Sequence, residues 1–203
     1  ELLAETLWPN SSYKSAISSQ RTALYYLRKT LSKYNVETAG DNAFILETPG
    51  GLQIRDNNSL DLDINEFLAL YNELSLHSDT GKQVGILKRM LALYKGDLME
   101  ESDYADLVTI ERERLKSIYI MACEKLSSIY INQGETQLAE EVLKQAYAAE
   151  PYNENICLEL LKLYISQGRK NKAIRLYYIF KKRFEQELDI KVDKRLTETV
   201  KNS

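Results

Sequence analysis

The side chains best suited to chemistry lie in one short segment. Between Ser11 and Val36 the chain carries five cations, Lys14, Arg21, Arg28, Lys29 and Lys33, and no acid. Leu24, Leu27 and Leu31, with Ile17 a turn earlier, recur at helical spacing and mark an inner face. At about 3.6 residues per turn, the opposite face presents Ser18, Ser19, Thr22, Tyr25, Tyr26, Lys29 and Lys33. Hydroxyls and ammonium groups on one helix face match phosphate oxygens and the base edges of a major groove. In that reading Lys29 and Lys33 meet phosphates. Ser18, Ser19 and Thr22, expected near the helix start, meet bases. Arg21 and Arg28 flank the inner stripe and either reach phosphate or pack their stems. The competing reading is a solvated face, or Tyr25 and Tyr26 packed on another domain.

No other grouping supports catalysis. His77 is the only histidine and sits in a polar stretch at a helix end, so no second imidazole exists for a metal pair. Cys123 and Cys157 fall inside helical patterns at equivalent places, which argues for core positions rather than a zinc site or a disulfide framework. Pro49-Gly50-Gly51 lacks the lysine and the length of a phosphate-cradling loop and reads as a turn. Asp61 and Asp63 alternate as at the start of a helix, where Asp63 is the expected cap with Glu66 three positions on. Neither an enzyme, a metal nor a cofactor is expected.

The elements that position these residues follow from composition and periodicity. The chain has 203 residues, 44% apolar and 28% charged, an ordinary globular balance. Its net charge of −3 excludes indiscriminate nucleic-acid binding over the whole surface and leaves the basic segment as a local feature. Apolar runs are short, so no membrane span is expected, and Glu1 and Glu5 are unlike the basic start of a secretory signal. A reduced, cytoplasmic protein is expected.

A short amphipathic helix over Glu1 to Trp8 is stopped by Pro9-Asn10, and a longer helix opening at Ser18 or Ser19 runs to about Tyr34. Ala43 to Thr48 and Leu52 to Arg55 read as two strands around Pro49-Gly50-Gly51. Helix, turn, helix and hairpin is the order of a winged helix-turn-helix.

Beyond residue 60 the pattern becomes all-helical and repetitive. Leu126-Ser-Ser-Ile-Tyr-Ile-Asn-Gln-Gly134 aligns with Leu160-Leu-Lys-Leu-Tyr-Ile-Ser-Gln-Gly168 at an offset of 34 residues, pairing Cys123 with Cys157 and Ala139 with Ala173. Each glycine ends a helix, and each alanine lets the next helix approach closely. Leu143 and Ala146 continue one buried stripe; Tyr177 and Phe180 continue the other. Upstream, Ile86, Leu87, Met90, Leu91, Leu93 and Tyr94 form a stripe ending at Gly96. A long helix from about Asp103 to Gln133 then aligns Leu107, Ile110, Leu115, Ile118, Ala122 and Leu126. Leu188, Ile190, Val192 and Leu196 suggest a short capping helix. Neighbouring repeats must cover one another, so residues 62–200 read as one solenoid.

At this point the chain resembles a known family. Glu1-Leu-Leu-Ala-Glu-Thr-Leu-Trp-Pro9 is similar to the second helix of an OmpR/PhoB-type winged helix. Leu24-Tyr-Tyr-Leu-Arg-Lys-Thr-Leu31 resembles the end of its recognition helix, and Phe44-Ile-Leu-Glu-Thr-Pro-Gly-Gly51 its wing. Ala92-Leu-Tyr-Lys-Gly-Asp-Leu98 and Glu111-Arg-Glu-Arg-Leu115 resemble the bacterial transcriptional activator domain (BTAD), itself built of tetratricopeptide-like helices. Together they resemble the SARP regulators over essentially the whole chain. The resemblance implies a mainly α chain: a partial winged helix with a β-hairpin wing over residues 1–60, then an all-α solenoid over 61–203. The family's leading strands and first helix are missing, Leu52 stands where its wing usually has an aromatic, and Leu107 where activator domains often place Trp.

The implied function is transcription activation, reading double-stranded promoter DNA through the helix and wing. RNA polymerase subunits and a second copy of the chain are the implied protein partners. The alternative is a non-catalytic interaction scaffold with a degenerate winged helix.

Overall fold

The computed structural model describes residues 2–34, 36, 39, 43–49, 51–55, 62–99 and 105–202, with backbone only at 2 and 105–107. The chain divides into two compact units, Glu1–Asp63 and Ile64–Ser203.

In the first unit, helices α1 (Leu2–Leu7) and α2 (Tyr13–Ser32) precede a hairpin of β1 (Ile45–Thr48) and β2 (Gly51–Ile54). Helices α1 and α2 pack on each other, and one small side chain on each, Ala4 and Ala16, is buried. The turn between them is closed by the Ser11 amide donating to the Trp8 carbonyl at 3.1 Å. Helix α2 starts at Tyr13, earlier than the Ser18 or Ser19 expected from sequence. The Ser12 Oγ accepts from the Ser15 amide at 3.4 Å, and no glycine or proline interrupts the turns that follow. At its far end the Val36 amide donates to the Leu31 carbonyl. Val36 thereby joins Phe44 and Ile45 in a small core against Leu24, Leu31 and Leu52. The hairpin is antiparallel, with Ile45 opposite Ile54, Glu47 opposite Leu52 and Thr48 opposite Gly51. The inner stripe of α2 differs by one step from the expected one: Leu27 is 45% exposed, and Arg28 lies between Leu24 and Leu31 instead.

Every regular element among the described residues of the second unit is a helix: α3 (Asp63–Leu74), α4 (Thr80–Leu93), α5 (Ala105–Asn132), α6 (Thr136–Ala149), α7 (Glu154–Ser166), α8 (Lys170–Leu188) and α9 (Lys194–Lys201). Helix α3 begins at Asp63, where a helix start is expected, and Glu66 pairs with Arg89 of α4. From α4 onward each helix packs on the next, and α9 closes the end against α7 and α8. The 34-residue correspondence is kept in three dimensions. Cys123 and Cys157, Leu126 and Leu160, Tyr130 and Tyr164, and Ala139 and Ala173 are all buried. Gly134 and Gly168 adopt φ of +80° and +72°. The amides after them, of Glu135 and Arg169, return to the carbonyls of Tyr130 and Tyr164 at 2.9 and 2.8 Å.

Three apolar positions of this unit expected to pack are exposed. Ile110 is 87% exposed, whereas Leu115, Ile118, Ala122 and Leu126 on the same helix are buried. Leu188 and Ile190 are exposed and only Val192 and Leu196 join the core, because α8 runs to Leu188 and Asp189 then turns the chain in the left-handed region at φ of 53°. The side chain of Leu107, and all of Asp61, lie outside the described residues.

Candidate nucleic-acid interface

Helix α2 displays the basic segment as one accessible surface. Lys14, Ser18, Arg21, Thr22, Tyr25, Tyr26, Lys29 and Lys33 are exposed, and Ser19 is half-buried. Because α2 begins at Tyr13, Ser18 and Ser19 lie more than one turn into the helix rather than at its start. Lys14, not among the expected contacts, occupies the first turn. The Thr22 Oγ1 donates to the Ser18 carbonyl at 3.0 Å, the local pattern that exposed helical threonines adopt. Tyr25 and Tyr26, 61% and 60% exposed, stand edge to face with ring centroids 5.4 Å apart. No described residue packs them away. With no acid on α2, its cations reinforce one another at the surface.

Arg28 is the exception. Its Nη1 pairs with the Glu47 Oε1 at 3.0 Å and its Nη2 donates to the Ile45 carbonyl at 3.2 Å, both on β1. Of the two roles open to it in sequence, phosphate contact or packing, the structure places it against the hairpin. The signal that could have shown this is the spacing Leu24-Arg28-Leu31, which puts the guanidinium on the inner stripe.

The wing is built as its sequence suggests. Pro49 and Gly51 are exposed at the hairpin end, and Gly51 takes φ of 132°. The Thr48 Oγ1 donates to the Gly51 carbonyl at 3.0 Å across the turn. Gly50 lies outside the described residues.

In the second unit, one cluster of charged groups links α4 to α5. Within the motif Ala92-Leu-Tyr-Lys-Gly-Asp-Leu98, the Tyr94 hydroxyl donates to Asp97 and the Lys116 ammonium pairs with the same carboxylate, each at 2.5 Å. The Tyr94 ring stacks on Tyr119 at 4.2 Å. Arg112, from the second motif, donates to the carbonyls of Leu98 and Met99 at 2.7 and 2.9 Å. The two motifs are thus halves of one clasp joining the end of α4 to α5. Lys116 holds Asp97 below its ordinary value, while burial and the adjacent Asp97 push the Tyr94 hydroxyl far up. Groups held this way are poor proton shuttles. His77 is half-buried beside Glu73. No helix among the described residues is long and apolar enough to cross a membrane.

Residues 62–202 match the family model described as bacterial transcriptional activator domain. The transcriptional regulatory protein MoaR1 of Mycobacterium bovis (strain BCG / Pasteur 1173P2) is 24% identical over 194 residues, covering 94% of this chain and 61% of that protein. MoaR1 of Mycobacterium tuberculosis (strain ATCC 25618 / H37Rv) matches with the same values, 24% identity over 194 residues. The chain therefore spans less than two thirds of the length of these relatives. Among solved structures, Mycobacterium tuberculosis EmbR, determined in complex with a low-affinity phosphopeptide, superposes with a TM-score of 0.70 at 18% identity. That superposition covers 98% of this chain and 52% of EmbR, and it shows a shared fold.

Proposed function

We propose, for a chain that belongs to the bacterial transcriptional activator domain family, that it binds duplex promoter DNA through α2 and the hairpin and activates transcription. The observation that carries this reading is the acid-free outer face of α2. Lys14, Arg21, Lys29 and Lys33 are exposed along it, with Tyr25 and Tyr26 between them. A helix of 20 residues with such a face is long enough to lie in a major groove and reach the flanking phosphates. The hairpin, with Pro49 and Gly51 at its end, is suited to an adjacent backbone contact.

In this reading Lys29 and Lys33 neutralise phosphates, and Ser18, Thr22, Tyr25 and Tyr26 approach base edges. Ser19, half-buried, orients the helix rather than touching DNA. Arg21 lies on the exposed side and reaches phosphate. The helical unit serves protein contacts, with the transcription machinery or a second copy as partner.

The test is equilibrium binding of the intact protein to duplex DNA over a range of salt concentrations. Binding through phosphates releases counterions, so affinity falls steeply with salt. The double variant Lys29→Glu/Lys33→Glu is expected to bind all sequences more weakly, with a slope shallower by about one for each phosphate contact removed. A flat salt response, or unchanged binding in the double variant, leaves only an interaction scaffold.

A further inference from the structure

We infer that Arg28 is a positioning residue that sets the hairpin against α2 and masks the charge of Glu47, rather than a contact to nucleic acid. The inference rests on the DNA-binding reading above for its consequence, but its geometry stands alone. The guanidinium forks across β1, with one nitrogen on the Glu47 carboxylate at 3.0 Å and another on the Ile45 carbonyl at 3.2 Å. Its Nε is buried, so the side chain is inserted between helix and hairpin rather than swung toward solvent. The planar guanidinium holds its two terminal nitrogens in a fixed fork, so it donates to the carboxylate and to the backbone carbonyl in one set geometry, which a single rotatable ammonium does not reproduce.

The location of the pair gives it a second effect. Glu47 is the one acid among the described residues of the hairpin, and its side chain is 64% exposed. An unpaired carboxylate there would repel any phosphate backbone brought against the wing. Arg28 cancels that charge and, through Ile45, ties the hairpin to the small core of Val36, Phe44 and Leu24.

Two substitutions separate this role from phosphate contact. Arg28→Gln is expected to weaken duplex DNA binding about three- to five-fold, the range of a partly exposed ion pair. Glu47→Gln removes a negative charge from the hairpin, yet is expected to weaken binding by a similar factor because the hairpin loses its anchor. Tighter binding in Glu47→Gln would overturn the inference, because an Arg28 released from its partner would then be gaining a phosphate contact. Hydrogen exchange supplies the readout independent of DNA. The Arg55 amide, which donates to the Phe44 carbonyl at 2.8 Å, is expected to exchange faster in both variants while the amides of α5–α8 stay protected. Unchanged exchange at Arg55 refutes the positioning role whether or not DNA binds. Absent DNA binding in the wild type, with faster exchange in the variants, refutes the DNA reading and leaves the positioning role in place.

Discussion

Glu140 of α6 holds the guanidinium of Arg169, 29 residues away, across the junction between the two helical repeats. Lys144 and Lys172 close on the same carboxylate at 2.5 and 3.0 Å, and the Tyr164 hydroxyl donates to it at 3.4 Å. The Arg169 and Lys172 cations also lie over the Tyr164 ring, each 4.8 Å from its centroid. Three cations around one nearly buried carboxylate join α6, α7 and α8.

The pH dependence of stability follows from this cluster. Arg169 hydrogen bonding holds the Glu140 carboxyl far below its ordinary value of 4.5, outweighing the burial that opposes it. A depressed carboxyl contributes stability that is present above that value and is lost as pH falls below it. Thermal unfolding followed by circular dichroism is therefore expected to show a falling Tm below about pH 4.5. Glu140→Gln should lower stability at neutral pH by about 1–2 kcal/mol, since it strands three cations, and should flatten the acid limb. An acid limb as steep in the variant as in the wild type excludes Glu140 as its source.

The paired glycines give a second prediction. Gly134 and Gly168 both sit in the left-handed region, and a Cβ on either would meet nothing within 4 Å. The cost of Gly134→Ala or Gly168→Ala is then backbone strain alone, about 1 kcal/mol each. Urea unfolding should show this loss at both sites, near-additive in the double variant. A cost several times larger would indicate steric conflict instead.

Tyr25 and Tyr26 test the outer face of α2. Both rings are exposed, so Tyr25→Ala/Tyr26→Ala should leave the Tm within a degree or two of wild type. The same variant is expected to lose about five- to ten-fold in DNA affinity, because two amphipathic rings leave the contact surface. A fall of many degrees in Tm would show that the rings are packed in the intact protein.

Cys123 and Cys157 are fully buried, and burial pushes both thiols up to about 12. Neither forms thiolate near neutrality, and thiolate is the reactive species. Titration with a thiol-specific chromogenic reagent at about pH 8 should give no fast reaction in the folded protein and two equivalents in denaturant. Rapid native labelling would place at least one cysteine outside the core.

Much of this protein was legible in its sequence, and the reasons are local. The 34-residue offset, the glycine helix ends and the hairpin around Pro49-Gly50-Gly51 depend on residues a few positions apart. Periodicity and turn chemistry report such relations directly. The acid-free stretch from Ser11 to Val36 was equally plain, since like charges spaced along one helix share a surface wherever that helix packs.

Other features required the tertiary structure. Ser12 rather than Ser18 opens α2, a choice among several capping side chains that the turn after α1 makes. Arg28 turns inward and Leu27 outward because the hairpin, arriving from positions 45–54, selects which edge of the leucine stripe is covered. Glu140 meets Arg169 and Lys172 only because two helix pairs stack. Spacing along a chain encodes which faces a helix has; what each face touches depends on partners tens of residues away, and only packing brings them together.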